Sequence, residues 1–359
     1  MITEFAEPTA TATNREDFAQ PAATAANRED FAELSRQVRD QGLLSRRRAY
    51  YAVKIAALLA SLVLLGVTAV LVGDSWWNLA VAVGLAFVLT QLGFIGHDAG
   101  HHQVFTKRRD NNLIGLFVAN LLTGFSFGWW QTKHNRHHAH TQRPEKDPDL
   151  VAGALVYMPD QARRRGLFGR SCAQIQAVLL LPLLFLEALN LHVASAISLA
   201  RRRDRAALAE AGLLTVHAAV FFVAPFLILS PVRAVVFILV SQALFGFYLG
   251  ASFITNHVGM PILAGENELG FLRRQVLTSR NLSGRSFTGF MFGGLDTQIE
   301  HHLFPTMPRA NLRRARELVR PFCAERRIAY AEQSPWRAYC EVLVHLRTVG
   351  AGRSIPFVG

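Results

Sequence analysis

The sequence has few charged residues and almost no cysteine. Asp, Glu, Lys and Arg make up 18% of its 359 residues, whereas soluble domains contain about 25%. Its three cysteines, Cys172, Cys323 and Cys340, form no CxxC pair, which argues against a zinc knuckle or a disulfide framework. Hydrophobic residues make up 51% of the chain, which excludes global disorder and indicates a polytopic membrane protein.

Acidic residues are few relative to basic ones. The chain has 26 Asp and Glu against 38 Lys and Arg, for a net charge of +12. Nucleic-acid binding would require an extended soluble basic domain, for which the apolar segments leave little room. Arginine clusters such as residues 46–48, 163–165 and 201–203 flank apolar segments instead. This placement is typical of cytoplasmic membrane edges, so we expect membrane lipid as a partner and no nucleic acid.

Four apolar segments predict membrane-spanning helices in two hairpins, because about 20 helical residues cross a ~30 Å hydrocarbon layer. They cover residues 55–72, 76–96, 213–229 and 234–254. Two further apolar segments, 112–130 and 173–199, are expected not to span. When neither segment crosses the membrane, the histidine-rich motifs described next all lie on one side of it.

The remaining chain is predicted to form a cytoplasmic helical cap. The cap covers residues 97–205 and 257–348, within one domain of residues 34–348. An Ala/Thr-rich start predicts a disordered tail over residues 1–33 with no signal peptide, and residues 349–359 are predicted as a second tail. The expected fold class is therefore all-α, with both termini in the cytoplasm.

Most of the 13 histidines lie in three short motifs. The motifs are HDAGHH at residues 97–102, HNRHHAH at residues 134–140 and QIEHH at residues 298–302, and His257 follows the last apolar segment. Residues three or four apart share a helix face, so the imidazoles of each motif can converge on metal. Imidazole binds Zn, Cu, Fe and Ni, so the ligand type alone does not choose the metal.

The number of histidines indicates two metal ions. A tetrahedral zinc site takes four ligands, or three ligands and a water, which is far fewer than the candidates here. Oxygen activation would need two redox metals with open coordination positions. The candidate ligands are His97, His101, His102, His134, His137, His138, His257, His301 and His302.

Polar neighbours are expected to support these ligands directly or through water, because outer carboxylates fix the tautomer of a ligating histidine. Ordinary loop polarity and helix capping are equally good explanations for each of them. The candidates are Gln298, Asn256, Asp98, His140, Asp147, Asp149, Asp296 and Glu300. Six basic residues are candidates for docking an electron carrier or for contacting anionic lipid, namely Lys107, Arg108, Arg109, Arg309, Arg313 and Arg314.

In this order, HDAGH, HNRHH and QIEHH resemble the three histidine boxes of the membrane fatty acid desaturases. The likeness extends to EKDPDL at residues 145–150 and HHLFPTMPR at residues 301–309, and it covers roughly residues 40–348. It implies four transmembrane helices, a cytosolic di-iron site to which His257 adds a ligand, and O₂-dependent desaturation of an acyl chain. Gln298, in place of a histidine, is similar to the linoleoyl-type and front-end branch.

Many front-end members carry a fused haem-binding domain with an HPGG motif, and this motif is absent from the printed sequence. The resemblance therefore implies that electrons come from a separate carrier, either ferredoxin-like or a flavoprotein. The basic cap suits an acidic carrier, since complementary charge raises encounter rates. Anionic lipid contact explains the same basic residues equally well.

Three other functions compete with desaturation. A fatty acyl hydroxylase on the same scaffold shares the first hydrogen abstraction, and the sequence does not separate the two. A zinc-dependent membrane lipid hydrolase would need one metal, three ligands and an activated water. A metal transporter would place its ligands along a pathway within the spans, whereas these histidines cluster at one edge.

Overall fold

The computed structural model describes residues 24–263 and 269–354. Two strands of two residues each, β1 (Asn281–Leu282) and β2 (Glu332–Gln333), pair in parallel. The other regular elements in the described ranges are helices, which confirms the all-α prediction.

The first described helix, α1 (Thr24–Asp40), packs against the cap. Leu34 is fully buried in a hydrophobic cluster of cap residues, and Phe31 packs against the same cluster. The prediction of a disordered tail is therefore wrong for residues 24–33, which are helical. Within this segment, apolar contacts hold Phe31 against the cap. The rest of that predicted tail, residues 1–23, lies outside the described residues.

Helices α2 (Arg48–Val72) and α3 (Asn78–Gly100) form the first membrane hairpin. Both are long and apolar enough to span a membrane, and they overlap the segments 55–72 and 76–96 that the sequence predicts to cross it. The most apolar window of α3 is 72% buried, whereas that of α2 is 0% buried. Helix α3 therefore lies inside the bundle, and its last turn carries the first histidine motif.

A sharp turn follows the first hairpin. Helix α4 (Arg108–Gly115) continues as a π-helix over Leu116–Thr123, and α5 (Phe127–His140) then leaves at 113°. Gly124 makes this turn with φ 84°, and a Cβ there would lie 2.3 Å from Nε2 of His217. Such a bend fits a re-entrant segment or a broken span, so the non-spanning role of residues 112–130 stays a prediction.

The second apolar segment in question, residues 173–199, is divided among short helices. They are α7 (Leu167–Gln174), α8 (Gln176–Phe185) and α9 (Glu187–Arg201). A 3₁₀ turn at Pro148–Leu150 and the short helix α6 (Pro159–Arg163) precede them. The axes of α7 and α8 meet at 86°. A Cβ on Gly246 would lie 2.6 Å from the backbone N of Ala188, so the start of α9 packs directly on the last membrane helix.

The second membrane hairpin overlaps the segments 213–229 and 234–254 that the sequence predicts to cross the membrane. Its first arm, Arg205–Ile228, and its second arm are both long and apolar enough to span a membrane. The first arm comprises α10 (Arg205–Ala218), a π-helix at Ala219–Val223 and α11 (Pro225–Ile228), and the second arm is α12 (Pro231–Ile254).

The cap is completed by helices after the last span. They are α13 (Phe271–Leu277), α14 (Ser286–Met291), a 3₁₀ turn at Leu295–Thr297, α15 (Gln298–Leu303), α16 (Arg309–Glu325) and α17 (Pro335–Gly350). Helix α17 extends two residues into the predicted C-terminal tail, and residues 355–359 of that tail lie outside the described residues.

Candidate metal centre

Helix α3 carries the first histidine motif at its end. His97 lies in the last turn of α3, and His101 follows it directly. Both side chains are buried, with ring centroids 4.8 Å apart. A Cβ on Gly100 would come within 2.6 Å of the Trp130 indole, so the missing side chain at this position lets α5 approach the motif.

Helix α5 presents the second motif. Ser126 caps its start by accepting a hydrogen bond from a backbone N–H at 3.2 Å. His134, His137 and His138 follow with helical spacing that places them on one face. The Trp130 ring stacks on His134 with centroids 4.6 Å apart, and this contact fixes the plane of the imidazole.

Four imidazoles from all three motifs form one group, which we call site A: His97, His101, His134 and His301. One ring nitrogen from each lies within 4.8 Å of the others. In the described part of the chain, Nε2 of His97, His101 and His301 is buried without a hydrogen-bond partner. Leaving a buried polar atom unpaired costs about 1–3 kcal/mol, so three converging unpaired nitrogens indicate a shared ligand.

A second group, site B, consists of His137, His257 and His302. Nε2 of His257 lies 3.3 Å from Nε2 of His137 and 3.1 Å from Nε2 of His302. His257, which lies outside the three motifs, is thus the central member of site B.

Hydrogen bonds at Nδ1, the ring nitrogen that faces away from the centre of site B, fix the tautomers of two of its histidines. Nδ1 of His257 lies 2.9 Å from the carbonyl oxygen of Thr278, and Nδ1 of His302 lies 3.0 Å from Oε1 of Gln275. Because these partners accept hydrogen bonds, the ring protons are on Nδ1 and the lone pairs are on Nε2. Burial lowers the pKa of His257 to about 3 and that of His302 well below its usual value. Neutral rings with lone pairs facing each other fit a cation held between them.

His138 belongs to neither group but lies between them. Its Nε2 is 3.1 Å from Nε2 of His134 in site A. Its ring stacks on His302 of site B with centroids 4.1 Å apart. His138 therefore links the two sites.

Besides His138, two predicted residues lie outside both sites. The sequence predicts His102 as a ligand, whereas the structure places it beyond α3 with φ 57° and in neither group. Burial and the charge of Arg108 lower the pKa of His102. His140, at the end of α5, is also in neither group of described ligands.

Asp98 supports site A from outside. Its Oδ1 lies 3.5 Å from Nδ1 of His97 and 2.8 Å from Nη2 of Arg309. The Tyr51 hydroxyl donates to Oδ2 at 3.0 Å. Arg309 is 7% exposed, so it is not available for docking a carrier. This corrects the prediction for that residue, because its charge is used inside the protein.

Asp147 supports site B in the same way. Both of its carboxylate oxygens lie 3.0 Å from Nδ1 of His137, and Asp149 lies 3.4 Å from the same nitrogen. Burial acts to lower the pKa of His137, but the negative charges of Asp149 and Asp147 raise it above its usual value. These charges would also offset the positive charge of a metal ion on the inner nitrogen.

Gln298 and Asn256 lie at the edge of site B. The amide nitrogen of Gln298 is 3.0 Å from Nε2 of His257. Its Oε1 accepts a hydrogen bond from Nδ2 of Asn256 at 3.0 Å. The glutamine that opens the third motif therefore contacts a candidate ligand directly.

The other two predicted carboxylates have partners other than histidine among the described residues. Glu300 accepts hydrogen bonds from the Tyr330 hydroxyl at 2.6 Å and from Nδ2 of Asn281 at 2.8 Å. Burial raises the pKa of Glu300 to about 7. Asp296 pairs with Arg313 at 2.8 Å. Both stabilise the segment that carries the third motif.

The remaining basic candidates differ in exposure. Lys107, Arg108 and Arg109 are exposed at the start of α4, and Arg314 is exposed on α16. Arg313 is partly buried by its pairing with Asp296. The exposed residues remain candidates for contact with a carrier or with lipid.

The donor set fits two late first-row metal ions. Sites A and B together offer seven imidazoles in two adjacent groups, and imidazole is a good ligand for iron, copper, zinc and nickel. The carboxylates lie on the outer ring nitrogens, where they orient the ligands. The fold and this site define a class of protein, namely a helical membrane protein with a two-part histidine cluster at one end of its spans.

Comparisons with known proteins identify the family. A model of the family described as fatty acid desaturase matches residues 74–334. The chain is 32% identical over 285 residues to an acyl-lipid (9-3)-desaturase of Physcomitrium patens, covering 76% of this chain and 53% of that protein. It is 30% identical over 313 residues to a Delta(5) fatty acid desaturase of Caenorhabditis elegans, covering 83% and 68%. The chain belongs to the fatty acid desaturase family.

A third relative agrees with this assignment. The chain is 28% identical over 331 residues to a Delta(6)-fatty-acid desaturase of Caenorhabditis elegans, covering 88% of this chain and 74% of that protein. The chain spans about half the length of the Physcomitrium relative. Family membership confirms the prediction of a fatty acid desaturase, which is an oxidoreductase and an integral membrane protein.

Several residues around the site carry no signal in the sequence. Gln275, Thr278 and Tyr51 hold candidate ligands or Asp98, but none lies in a histidine motif. Tyr51 and Asp98 are 47 residues apart in the chain, and Gln275 and His302 are 27 apart. Only the folded structure brings such pairs together, so spacing rules could not find them.

Proposed function

We propose that this chain is an oxygen-dependent fatty acyl desaturase whose sites A and B hold a di-iron centre. The observation that carries the proposal is the set of buried Nε2 atoms that converge without hydrogen-bond partners in site A and face one another in site B. When bound, the iron pair would supply the O₂ chemistry that removes two hydrogens from adjacent carbons of an acyl chain.

The residues of the chain itself position the reactants. Asp98 and Asp147 fix imidazole orientation from outside the sites. The Phe253 ring lies 6.2 Å from the His97 ring, and the Phe94 ring lies 6.3 Å from Phe253. These aromatic side chains support an apolar approach for the acyl chain between α3 and α12, and they exclude water from the candidate ligands.

We propose that the cap faces the cytoplasm and receives electrons from a separate acidic carrier, either ferredoxin-like or a flavoprotein. The exposed residues Lys107, Arg108 and Arg109 support this proposal by their charge.

Charge reversal in Lys107→Glu/Arg108→Glu should slow reduction by such a carrier about tenfold at low salt, because electrostatic steering depends on ionic strength. Reduction by dithionite should not change, and Arg347→Glu on α17 is the control. Equal loss in the control would contradict the docking site.

The test of the function combines metal analysis with product analysis. We expect about two irons per chain in purified protein and new double bonds in fatty acids of cells that express it. The lipid fraction that carries the first labelled product would identify acyl-lipid or acyl-CoA as the substrate. Hydroxylated chains would replace the proposal by the hydroxylase, and one zinc with unchanged fatty acids would refute oxygen chemistry.

A further inference from the structure

Glu210 is a buried carboxylate that neither the histidine motifs nor the proposed chemistry uses. It lies in α10, within the candidate membrane span Arg205–Ile228, and its exposure is 2%. Charged groups in membrane helices are costly and are retained where they have specific partners. The partners of Glu210 therefore indicate its role.

The carboxylate binds the turn that begins α5. Its Oε2 accepts hydrogen bonds from Oγ of Ser126 at 2.6 Å, the backbone N of Gly128 at 3.1 Å and Nδ2 of Asn120 at 3.3 Å. Its Oε1 accepts one from Nη1 of Arg202 at 3.0 Å. Three of these four donors lie in the turn or beside it.

The close approach of the Glu210 carboxylate to the start of α5 depends on the glycine at residue 128. A Cβ on Gly128 would lie 2.7 Å from Oε1 of Glu210, so any larger residue would push the carboxylate away from the helix. Other residues hold the turn on its remaining sides. The backbone N of Ser126 donates to Oγ of Ser195 at 2.8 Å, and Nδ1 of His192 lies 2.6 Å from the carbonyl oxygen of Gly124.

We infer that Glu210 is a positioning residue for the histidines of α5. Helix α5 carries His134 of site A, His137 of site B and His138 between them. A negative charge at a helix N-terminus is stabilising, and this charge also ties the helix start to a membrane span. Glu210 thereby determines the positions of these imidazoles relative to the imidazoles of α3 and α15.

The test compares Glu210→Gln with a matched control. A glutamine amide must turn an N–H donor towards either Arg202 or the donors of the turn, so the four bonds cannot all form. The control is Asp204→Asn in the cap of the same helix. Asp204 accepts from the backbone N of Ala207 at 2.9 Å and pairs with the same Arg202 at 3.0 Å, but it does not bond to the turn.

Two measurements are made on the full-length protein in lipid nanodiscs. The first is hydrogen exchange of the amides of residues 124–130 in metal-free protein. The second is titration with cobalt(II), followed by its visible d–d absorption. We expect Glu210→Gln to exchange about tenfold faster in this segment and to bind cobalt(II) about tenfold more weakly, with an altered spectrum. Asp204→Asn should match the parent in both measurements.

Unchanged exchange and cobalt binding in Glu210→Gln, or an equal loss in Asp204→Asn, would overturn the inference. If Glu210→Gln does not fold, Gly128→Ala places a Cβ 2.7 Å from Oε1 of Glu210 and leaves the Ser126 cap in place. It should shift both measurements in the same direction, and no shift would overturn the inference. The cobalt measurement rests on the proposed function. A parent protein that binds no cobalt would refute the metal centre, whereas exchange would still test whether Glu210 holds α5.

Discussion

Asp98 and Arg309 form a buried ion pair that joins the first histidine motif to the cap. Nη2 of Arg309 lies 2.8 Å from Oδ1 of Asp98, and the same guanidinium donates to the carbonyl oxygen of Phe94 in α3. The backbone N of Arg309 also donates to Oε1 of Gln103 at 3.1 Å. The start of α16 is therefore fixed to the end of α3, next to His97.

Removing one member of this pair should be costly. A buried charge left without its partner destabilises a protein by about 3–5 kcal/mol, so Arg309→Met should lower the free energy of unfolding by about 3 kcal/mol. The double variant Asp98→Asn/Arg309→Met should lose less than the sum of the single variants, because no charge is left unpaired. Chemical unfolding of the four proteins measures this coupling, and simple additivity would contradict it.

His257 and His102 should differ in their effect on metal content. His257→Ala removes the central imidazole of site B, so bound iron should fall from about two to about one per chain. His102→Ala removes an imidazole outside both sites and should leave the metal content unchanged. Elemental analysis of purified variants decides between these outcomes. Full iron content in His257→Ala would show that site B is not a ligand set.

The turn at Gly124 should not tolerate a side chain. Gly124→Ala puts a Cβ at φ 84° and 2.3 Å from Nε2 of His217, so we expect a loss of at least about 2 kcal/mol. Gly66→Ala is the matched control, because no atom lies within 4 Å of a Cβ at that position of α2. Thermal unfolding should show a lower Tm for Gly124→Ala and an unchanged Tm for Gly66→Ala.

The cysteines should react with thiol reagents at very different rates. Burial raises the pKa of the Cys323 thiol to about 12, so its thiolate is scarce at pH 8 and the reagent has no access. Cys340 is exposed and should label first. Mass spectrometry after maleimide treatment would locate the label, and Cys323 should react only after unfolding. Fast labelling of Cys323 in the folded protein would contradict its burial.

The histidine motifs and the spans could be predicted because their signals are local. Runs of about 20 apolar residues predict a span wherever they occur, and the spacing of His134, His137 and His138 places them on one helix face. The helical order of residues 24–33 could not be predicted, since it depends on Leu34 and Phe31 reaching a cluster built from distant cap residues.

The partners of the site were harder to predict than its ligands. The sequence presents Arg309 as one of many basic residues, and only the folded chain brings it to Asp98. His102 has the same local signal as His101, yet its φ of 57° takes it out of the cluster. Glu210 reads as an ordinary polar residue near the start of an apolar segment, because its partners lie in another part of the chain.

Sites A and B draw their imidazoles from four separated stretches of the chain, ending with His301 and His302. A metal ion held by them would join α3 to α5 and both to the segment after the last span. Such a bond acts like a cross-link, because it removes conformations from the unfolded chain that the long intervening loops would otherwise allow. Iron limitation would then reduce the amount of folded protein as well as its catalytic rate, and protease resistance of the cap would report metal loading.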